Sequence, residues 1–161
     1  MRVKIKKLHK DATLPKQATE FAGGWDVTVT EIEQVEDDLV ICKLGFALQL
    51  PEGYKLTLVP RSSLTKTKWI LQNSPGLGDQ DYLQEYQYRF RALPESYGQA
   101  IVSESQGYAN VKNILTYSKF PYEVGDRIGQ VYLEEVIPIE FEEVEEFDFS
   151  NNRGSYGHTG K

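Results

Sequence analysis

The chain has 161 residues, of which 40% are hydrophobic and 26% charged, as is ordinary for a single soluble globular domain with its own core. A formal net charge of -6 gives no long-range attraction for a nucleic acid or an anionic membrane, so we expect neither as a partner. The single cysteine, Cys42, excludes an intrachain disulfide, and no apolar stretch is long enough for a membrane span or a signal peptide. These features predict a cytoplasmic protein.

Short segments with a period of two recur along the chain, and this alternation predicts β-strands rather than helices. In chain order, the predicted strands are Val3–Leu8, Trp25–Thr30, Leu39–Leu50, Tyr54–Pro60, Trp69–Gln72, Glu85–Ala92, Arg127–Val136 and Ile139–Val144. Many short strands joined by turns rich in Gly and Pro are typical of a β-sandwich, a barrel or a jelly roll.

Three segments depart from this rhythm. Pro94–Asn113 is polar, contains Gly and Ser, and is expected to form an inserted loop or hairpin. The stretch EFEEVEEFDF at 140–149 alternates acidic and apolar residues, which indicates a solvated edge strand. The last residues lack apolar periodicity. We therefore predict one domain over residues 1–148, with an insertion at 94–113, and a flexible C-terminal arm over residues 149–161.

The stretch NSPGLGDQDY, residues 73–82, combines turn formers with two carboxylates and an aromatic residue. Pro presets φ and Gly permits a positive φ, so a bend is expected here. A carboxylate fixed at a rigid turn, such as Asp79, is suited to act as a general base that aims a water molecule. Two aspartates in a solvated turn are the alternative interpretation of the same pattern.

The stretch PRSSLTKTKWI, residues 60–70, places Arg61 beside Ser62 and Ser63 at the end of a predicted strand. The guanidinium, the hydroxyls and the nearby backbone N–H groups all donate hydrogen bonds, and Arg matches a phosphate with two parallel bonds. This combination predicts a phosphate-binding site, although the tripeptide alone is a common surface string.

Three further stretches carry possible ligand contacts. LPKQATEFAGGWDV, residues 14–27, has small residues before Asp26, so the backbone there can approach a ligand closely. GDRIGQ, residues 125–130, places a turn before Gln130. RGSYGHTGK, residues 153–161, offers cationic, aromatic and hydroxyl side chains on a Gly-rich backbone that could fold over a ligand. Its candidates are Arg153, Tyr156, His158, Thr159 and Lys161.

In order and combination, these five stretches resemble the five motifs of the trimeric dUTP pyrophosphatases, and the resemblance covers nearly the whole chain. Motif three, NSPGLGDQDYLQE, is the most specific match, and motif five, RGSYGHTG, is the loosest. The resemblance implies an all-β jelly roll, a homotrimer with shared active sites, and Mg²⁺-dependent hydrolysis of dUTP to dUMP and pyrophosphate. Such a reaction lowers dUTP and supplies dUMP.

The resemblance also implies roles for individual residues. Asp79 matches the general base for water attack at the α-phosphorus, Tyr82 the aromatic residue under the deoxyribose, and Asn73 the asparagine near the uracil edge. Asp81 is structural or a water ligand. Mg²⁺ is held mainly by the substrate phosphates, and Asp26 reaches it through water. The remaining implied substrate contacts are Arg61, Ser62, Ser63 and Gln130 on the phosphates, Arg153 and Thr159 near the γ-phosphate, Tyr156 over the uracil, and His158 in the same arm.

The sequence departs from the family pattern at a few positions. Gln84 stands where the family usually has Gly, and Tyr156 stands where it usually has Phe. Only Gly154 and Ser155 separate Arg153 from Tyr156, two residues fewer than usual. The Pro94–Asn113 stretch is longer than the usual connection between motifs three and four.

Two alternative functions follow from the same residues. The related dCTP deaminases share the fold and an RSS-type motif, but they need a glutamate poised for attack at the pyrimidine ring, and the GDQDY turn fits hydrolysis better. A regulatory protein of the same fold could instead contact a protein partner through Pro94–Asn113. Assays of pyrophosphate and ammonia release from dUTP and dCTP separate these functions.

Overall fold

A computed structural model describes residues 1–105 and 108–148, without the side chains of residues 101–112. The predicted arm over residues 149–161 lies outside the described residues. The described residues form twelve β-strands and one short 3-10 helix, η1. The strands are β1 (Lys4–Lys7), β2 (Trp25–Thr28), β3 (Glu31–Glu36), β4 (Leu39–Lys43), β5 (Phe46–Gln49), β6 (Tyr54–Pro60), β7 (Trp69–Leu71), β8 (Gly76–Gly78), β9 (Gln87–Ala92), β10 (Ser96–Ser105), β11 (Tyr108–Thr116) and β12 (Arg127–Glu135), and η1 spans Ser62–Lys66.

Two antiparallel four-stranded sheets make up most of the domain, with strand orders β2-β12-β6-β8 and β3-β4-β9-β7. Strand β1 pairs with β5 in a separate two-stranded sheet. The hydrophobic core draws buried side chains from both four-stranded sheets, which therefore pack against each other. The prediction of an all-β jelly roll is confirmed.

Strand β9 illustrates how the alternating sequence builds this core. Tyr88 and Phe90 point inward and are fully buried, whereas Arg89 between them is exposed. The Tyr88 hydroxyl crosses to the other sheet and donates to the Gln130 carbonyl oxygen at 2.7 Å. A Cβ atom at Gly129 would lie 2.3 Å from the Tyr88 ring, so only glycine fits beneath this ring. Tyr88 therefore ties the two sheets together at β12.

The predicted strand Leu39–Leu50 is two strands, β4 and β5, and the chain changes direction between them. Gly45 has φ +70, and a Cβ atom there would lie 2.9 Å from both His9 and Thr30 side-chain atoms. This backbone conformation is costly for other residues, so the glycine breaks the strand. The result is that β4 pairs with β3 and β9, and β5 pairs with β1.

The predictions of a strand over Ile139–Val144 and of an edge strand over the stretch at 140–149 are wrong for the described residues, because residues 136–148 contain no strand. The last backbone bond before this segment runs from Val136 N to Gly53 O, at 2.8 Å. Beyond it, Ile139 is 71% exposed and Phe141 89% exposed. An alternating sequence forms a strand only where a neighbouring strand accepts its backbone hydrogen bonds, and this chain provides none here among the described residues.

Two strands outside the predicted insertion were absent from the sequence prediction. Strand β3 is largely exposed and acidic, and β8 lies within the Gly-rich stretch interpreted as a turn. Both are held by partners, β4 and β6 respectively. Pairing rather than local propensity therefore decides their conformation.

Strands β10 and β11 form a long antiparallel hairpin, from the Ser96–Thr116 pair to the Ser105–Tyr108 pair. A bulge interrupts the register between Ile101 and Ser103. The hairpin includes most of the stretch predicted as an insertion and extends past it to Thr116. It forms a sheet of its own, so its ladder is separate from the two main sheets.

None of the described residues belongs to a helix with the length and apolar character that a membrane crossing requires.

Candidate functional site

The Asp26 carboxylate is the centre of a buried polar cluster. Strands β2 and β12 pair so that Asp26 lies opposite Gln130, and the Gln130 amide donates to Asp26 Oδ1 at 3.0 Å. Arg127 Nη1 donates to Asp26 Oδ2 at 2.8 Å. Arg61 Nε lies 3.9 Å from Oδ1, and Arg61 Nη1 donates to the Arg127 carbonyl oxygen at 3.1 Å. The structure thus brings together residues from the stretches at 14–27, 60–70 and 125–130.

The charges around Asp26 leave a net positive surface. Two guanidinium groups face one carboxylate whose side chain is only 4% exposed. The Lys16 backbone forms an isolated bridge with Asp26, and Lys16 lines the cavity beside the cluster. A cavity of about 360 Å³ opens beside this cluster. Its lining includes Thr13, Lys16, Gln17, Asp26, Thr28 and Arg127. Donor side chains with excess positive charge suit an anionic ligand.

Sequence reasoning missed Arg127, which contacts Asp26 more closely than the predicted Arg61 does. Arg127 lies in the quoted GDRIGQ stretch, but only its last residue was selected there. The signal that could have found Arg127 is its position at the start of β12, the strand that pairs with β2.

Ser62 and Ser63 open the short helix η1 and have exposed side chains. Leu64 anchors the helix in the core, with 6% of its surface exposed. Thr65 Oγ1 donates to the Ser62 carbonyl oxygen at 2.7 Å, which closes the turn. The two serines therefore follow Arg61 directly, on a turn that buried Leu64 and the Thr65 hydrogen bond hold in place.

The described residues include no group of three His, Cys, Asp or Glu side chains that could hold a metal ion. Each Asp26 oxygen already accepts one hydrogen bond and keeps further lone-pair capacity. This arrangement fits a hydrogen bond from a metal-bound water better than direct ligation. Mg²⁺ commonly keeps several waters and takes other ligands from substrate phosphates, so the residues fit the role predicted for Asp26.

A second candidate group lies on the turn that follows β8. The Tyr82 backbone N–H donates to the Asp79 carbonyl oxygen at 3.1 Å, and the Tyr82 hydroxyl donates to the Glu85 carbonyl oxygen at 3.0 Å. Glu85 Oε1 in turn accepts a bond from Gly45 N at 2.8 Å. Asp79 is exposed, and Tyr82 is 38% exposed. The turn therefore holds an accessible carboxylate and an accessible ring in a fixed relation.

The Asn73 side chain connects the same loop to strand β9. Its Nδ2 donates to the Gln87 carbonyl oxygen at 3.3 Å, and its Oδ1 accepts from Arg89 N at 2.9 Å. Both polar atoms of the amide are therefore engaged in shaping the loop. One amide N–H and the neighbouring main chain remain for a ligand.

The two groups do not meet within one chain. Gly78, next to Asp79, pairs with Leu56 near the start of β6, whereas Arg61 follows the end of that strand. Five residues of β-strand span about 16 Å, so the Asp79 turn and the Asp26 cluster lie at opposite ends of β6. Within one chain, a ligand that contacts both groups would have to span this distance.

A slightly larger cavity, of about 390 Å³, lies by the other sheet and touches none of the predicted site residues. Its lining includes Ile32, Gln34, Trp69, Tyr117, Phe120 and Tyr122. The predicted contacts Arg153, Tyr156, His158 and Thr159 lie outside the described residues.

Sequence comparison finds full-length relatives. The chain is 31% identical over 163 residues to the deoxyuridine 5′-triphosphate nucleotidohydrolase of Helicobacter pylori strain Shi470, covering 99% of this chain and 97% of the relative. It is 30% identical over 164 residues to the enzyme of the same name from Hydrogenobaculum sp., covering 99% of both chains. No protein-family model matches the chain.

Structural comparison finds phage proteins with the same fold. A variant of the Staphylococcus bacteriophage 80alpha dUTPase, solved with dUpNHpp, superposes with a TM-score of 0.72 at 22% identity and covers 99% of both chains. A variant dUTPase from phage phi11 of S. aureus, in which a structural Mg(II) ion is coordinated, gives a TM-score of 0.67 at 21% identity over 92% of this chain and 100% of that chain. At these identities the likeness concerns the fold.

Proposed function

This chain belongs to the deoxyuridine 5′-triphosphate nucleotidohydrolase (dUTPase) family, and on that premise we propose that it hydrolyses dUTP to dUMP and pyrophosphate. The observation that carries the proposal is the Asp79 turn. It presents an exposed carboxylate and the half-exposed Tyr82 ring on a loop fixed by hydrogen bonds at both ends. These are the groups that water activation and deoxyribose recognition require.

Asp79 acts as the general base in the proposed reaction. Its carboxylate takes a proton from a water molecule while the water oxygen forms a bond to the α-phosphorus. The bond from that phosphorus to the oxygen bridging to the β-phosphate breaks, and pyrophosphate leaves with the bonding electrons. Since the carboxylate is exposed on a short, hydrogen-bonded turn, it can be aimed at the water without reorganisation of the fold.

The Asp26 cluster binds the triphosphate. Arg61, Ser62 and Ser63 donate to phosphate oxygens, and Gln130 contacts the α-phosphate region with the amide N–H that Asp26 does not use. Mg²⁺ held by the triphosphate would offset phosphate charge and favour one conformation of the triphosphate. Asp26, whose carboxylate is buried and paired, would accept a hydrogen bond from a water of that ion.

The base and sugar are recognised beside Asp79. Tyr82 packs under the deoxyribose, where a ribose 2′-hydroxyl would clash. The main chain around Asn73 offers hydrogen-bonding groups to uracil, and a cytosine would leave such groups unpaired. The arm over 149–161 closes the site, with Tyr156 over the base and Arg153, His158 and Thr159 toward the terminal phosphates.

The active enzyme is a homotrimer in which each site is completed by neighbouring chains. Supporting this, the Asp79 turn and the Asp26 cluster lie at opposite ends of β6. Residues 136–148 also expose large apolar side chains and find no strand partner among the described residues of their own chain; these side chains include Ile137, Ile139, Phe141 and Phe147. Such a surface is typical of an intersubunit contact. A nucleotide substrate favours the cytoplasm as the working compartment.

One assay tests the proposed function. Purified protein is incubated with Mg²⁺ and with dUTP, dCTP or UTP, and pyrophosphate and ammonia are measured. We expect pyrophosphate from dUTP, little from UTP, and no ammonia from dCTP. Ammonia release would indicate the deaminase, and no product from any nucleotide would indicate a binding protein without turnover. Light scattering on the same sample tests the trimer, which should have about three times the chain mass of 18.4 kDa.

A further inference from the structure

Tyr86 is a buried aromatic residue directly behind the site, and neither the sequence motifs nor the proposed mechanism uses it. Only 3% of its surface is exposed. Its ring packs edge-on against Tyr82, with centroids 5.1 Å apart and an interplanar angle of 69°. On its other side, the ring lies 6.4 Å from that of Phe46, a core residue. Tyr86 therefore connects the core to the ring that faces the sugar.

The backbone of Tyr86 is fixed on both sides. Its N–H donates to the Phe46 carbonyl oxygen at 3.1 Å, and its carbonyl oxygen accepts from Leu44 N at 3.0 Å. These bonds tie it to the chain around the turn between β4 and β5. Because the backbone is anchored and the side chain buried, the ring offers Tyr82 a rigid support.

The space that the Tyr86 ring occupies exists because residue 78 is glycine. A Cβ atom on Gly78 would lie 2.6 Å from both Cε1 and the hydroxyl oxygen of Tyr86. Any side chain at position 78 would thus displace the phenol ring. Gly78 directly precedes Asp79, so the contact between Gly78 and Tyr86 lies at the start of the turn that carries Asp79.

The Tyr86 hydroxyl has no hydrogen-bond partner among the described residues. Burial raises the pKa of Tyr86 to about 12, with the nearby Tyr82 and Asp79 as smaller causes, so the phenol stays neutral. A buried hydroxyl without a partner destabilises the fold, because the cost of removing it from water is not compensated. The contribution of this side chain is therefore expected from its ring.

We propose that Tyr86 is a positioning residue that holds the Tyr82 ring in place and thereby sets the discrimination between deoxyribose and ribose. The proposal rests on the function proposed above, because it assigns Tyr82 to the sugar. Tyr82 excludes a 2′-hydroxyl only if its ring cannot retreat. The ring of Tyr86 is the group that prevents this retreat, and Gly78 provides the room for it.

The test compares three variants with the wild type. Tyr86→Phe keeps the ring and is the matched control. Tyr86→Leu removes the ring. Gly78→Ala/Tyr86→Leu adds a methyl group from the other side and fills part of the vacated volume. The ratio of Kd for the α,β-imido analogues of UTP and dUTP is measured by calorimetry, and kcat/KM and Tm are measured alongside.

The interaction free energy of an aromatic pair with this geometry is large enough to change the ratio of Kd between the UTP and dUTP analogues by about threefold to tenfold. We expect Tyr86→Phe to keep the wild-type ratio and Tyr86→Leu to lower it by that factor. The double variant should recover part of the Tm that Tyr86→Leu loses but none of the selectivity. If Tyr86→Leu does not fold, the double variant takes its place in the comparison with Tyr86→Phe.

A wild-type ratio in the folded Leu variants would overturn the inference. Recovery of selectivity together with Tm in the double variant would show that Tyr86 merely fills volume, which also contradicts it. Failure of the proposed function is a separate outcome, because it would appear as wild-type protein that binds the dUTP analogue but releases no pyrophosphate from dUTP.

Discussion

Arg127 Nη1 donates to Asp26 Oδ2 at 2.8 Å, although 101 positions separate the two residues along the chain. The bond joins the start of β12 to β2, and Gln130 on the same strand takes the other Asp26 oxygen. Asp26 is therefore a buried carboxylate that depends on β12 for both of its close partners. The role proposed for Asp26 at the phosphates requires that this network stay intact.

Replacing Arg127 should destabilise the fold through Asp26. In Arg127→Met the Asp26 carboxylate keeps only Gln130 and the Arg61 guanidinium, which lies 3.9 Å away. We expect the free energy of unfolding to fall by about 1–2 kcal/mol. The loss is smaller than for a fully buried pair because Arg127 is half exposed. Arg127→Lys, which keeps the charge, should lose less. Urea denaturation measures both, and equal stability of Arg127→Met and wild type would contradict the assignment.

Asp79→Asn should remove the general base while preserving the shape of the turn. The amide cannot accept the proton of the attacking water, so we expect kcat to fall by about 10² or more, with nucleotide affinity nearly unchanged. Asp81→Asn is the matched control on the same turn and should retain most of the activity. Near wild-type turnover in Asp79→Asn would exclude Asp79 as the base.

Tyr82→Ala should weaken sugar selectivity. Loss of the ring removes the steric barrier to a 2′-hydroxyl, so kcat/KM for UTP should improve relative to that for dUTP. Tyr82→Phe keeps the ring and loses only the hydroxyl bond to the Glu85 carbonyl oxygen, so it should retain the discrimination. An unchanged ratio in Tyr82→Ala would assign the residue to packing alone.

Deletion of residues 150–161 should lower kcat strongly and leave the thermal unfolding midpoint unchanged. The deleted residues are polar and Gly-rich, so they contribute little to the core. In the proposed mechanism, Arg153 and Tyr156 contact the bound nucleotide and exclude water from the reacting phosphorus. The check is turnover together with calorimetric Tm, and full activity of the truncated protein would refute the role of the arm.

Cys42 should resist alkylation in the native protein. Burial raises the pKa of its thiol from the ordinary value of 9.0 to about 12, and the thiolate is the reactive form. Iodoacetamide at pH 8, followed by mass spectrometry, should label it only after denaturation. As pH rises above about 9 the unfolded thiol ionises and the folded one does not, so the free energy of unfolding should decline toward pH 12.

The sequence predicted the fold class because alternation and turn residues are local signals. Strand β6 was predicted with its observed bounds, because the turn formers of PEGY mark its start and Pro60 marks its end. The strand boundaries that the sequence could not predict depend on pairing between distant segments. Gly45 breaks a segment, Leu39–Leu50, that contains no Pro, Asn or Asp to signal the break, because the neighbours of Gly45, His9 and Thr30, are brought in by distant parts of the chain.

The residues of the candidate site also fall into those that the sequence reveals and those that only the fold reveals. Gln130 and Arg61 stood out by residue type, and the structure places both at Asp26. Arg127 and Tyr86 were missed because their significance is a contact across the fold rather than a local pattern. Tyr86 in particular looks like any core residue of an alternating strand until the space above Gly78 is considered.

The hydroxyl bond from Tyr88 to Gln130, and the close approach of its ring to Gly129, have a consequence for how the molecule responds to nucleotide. Tyr88 stands in the sheet that carries Arg89, the partner of Asn73, while Gln130 stands in the sheet that carries Asp26. Sliding of one sheet over the other would have to break the hydrogen bond from Tyr88 to Gln130. We therefore expect the two sheets of each chain to keep their relative position when a nucleotide binds, with adjustment confined to chain segments outside the two sheets.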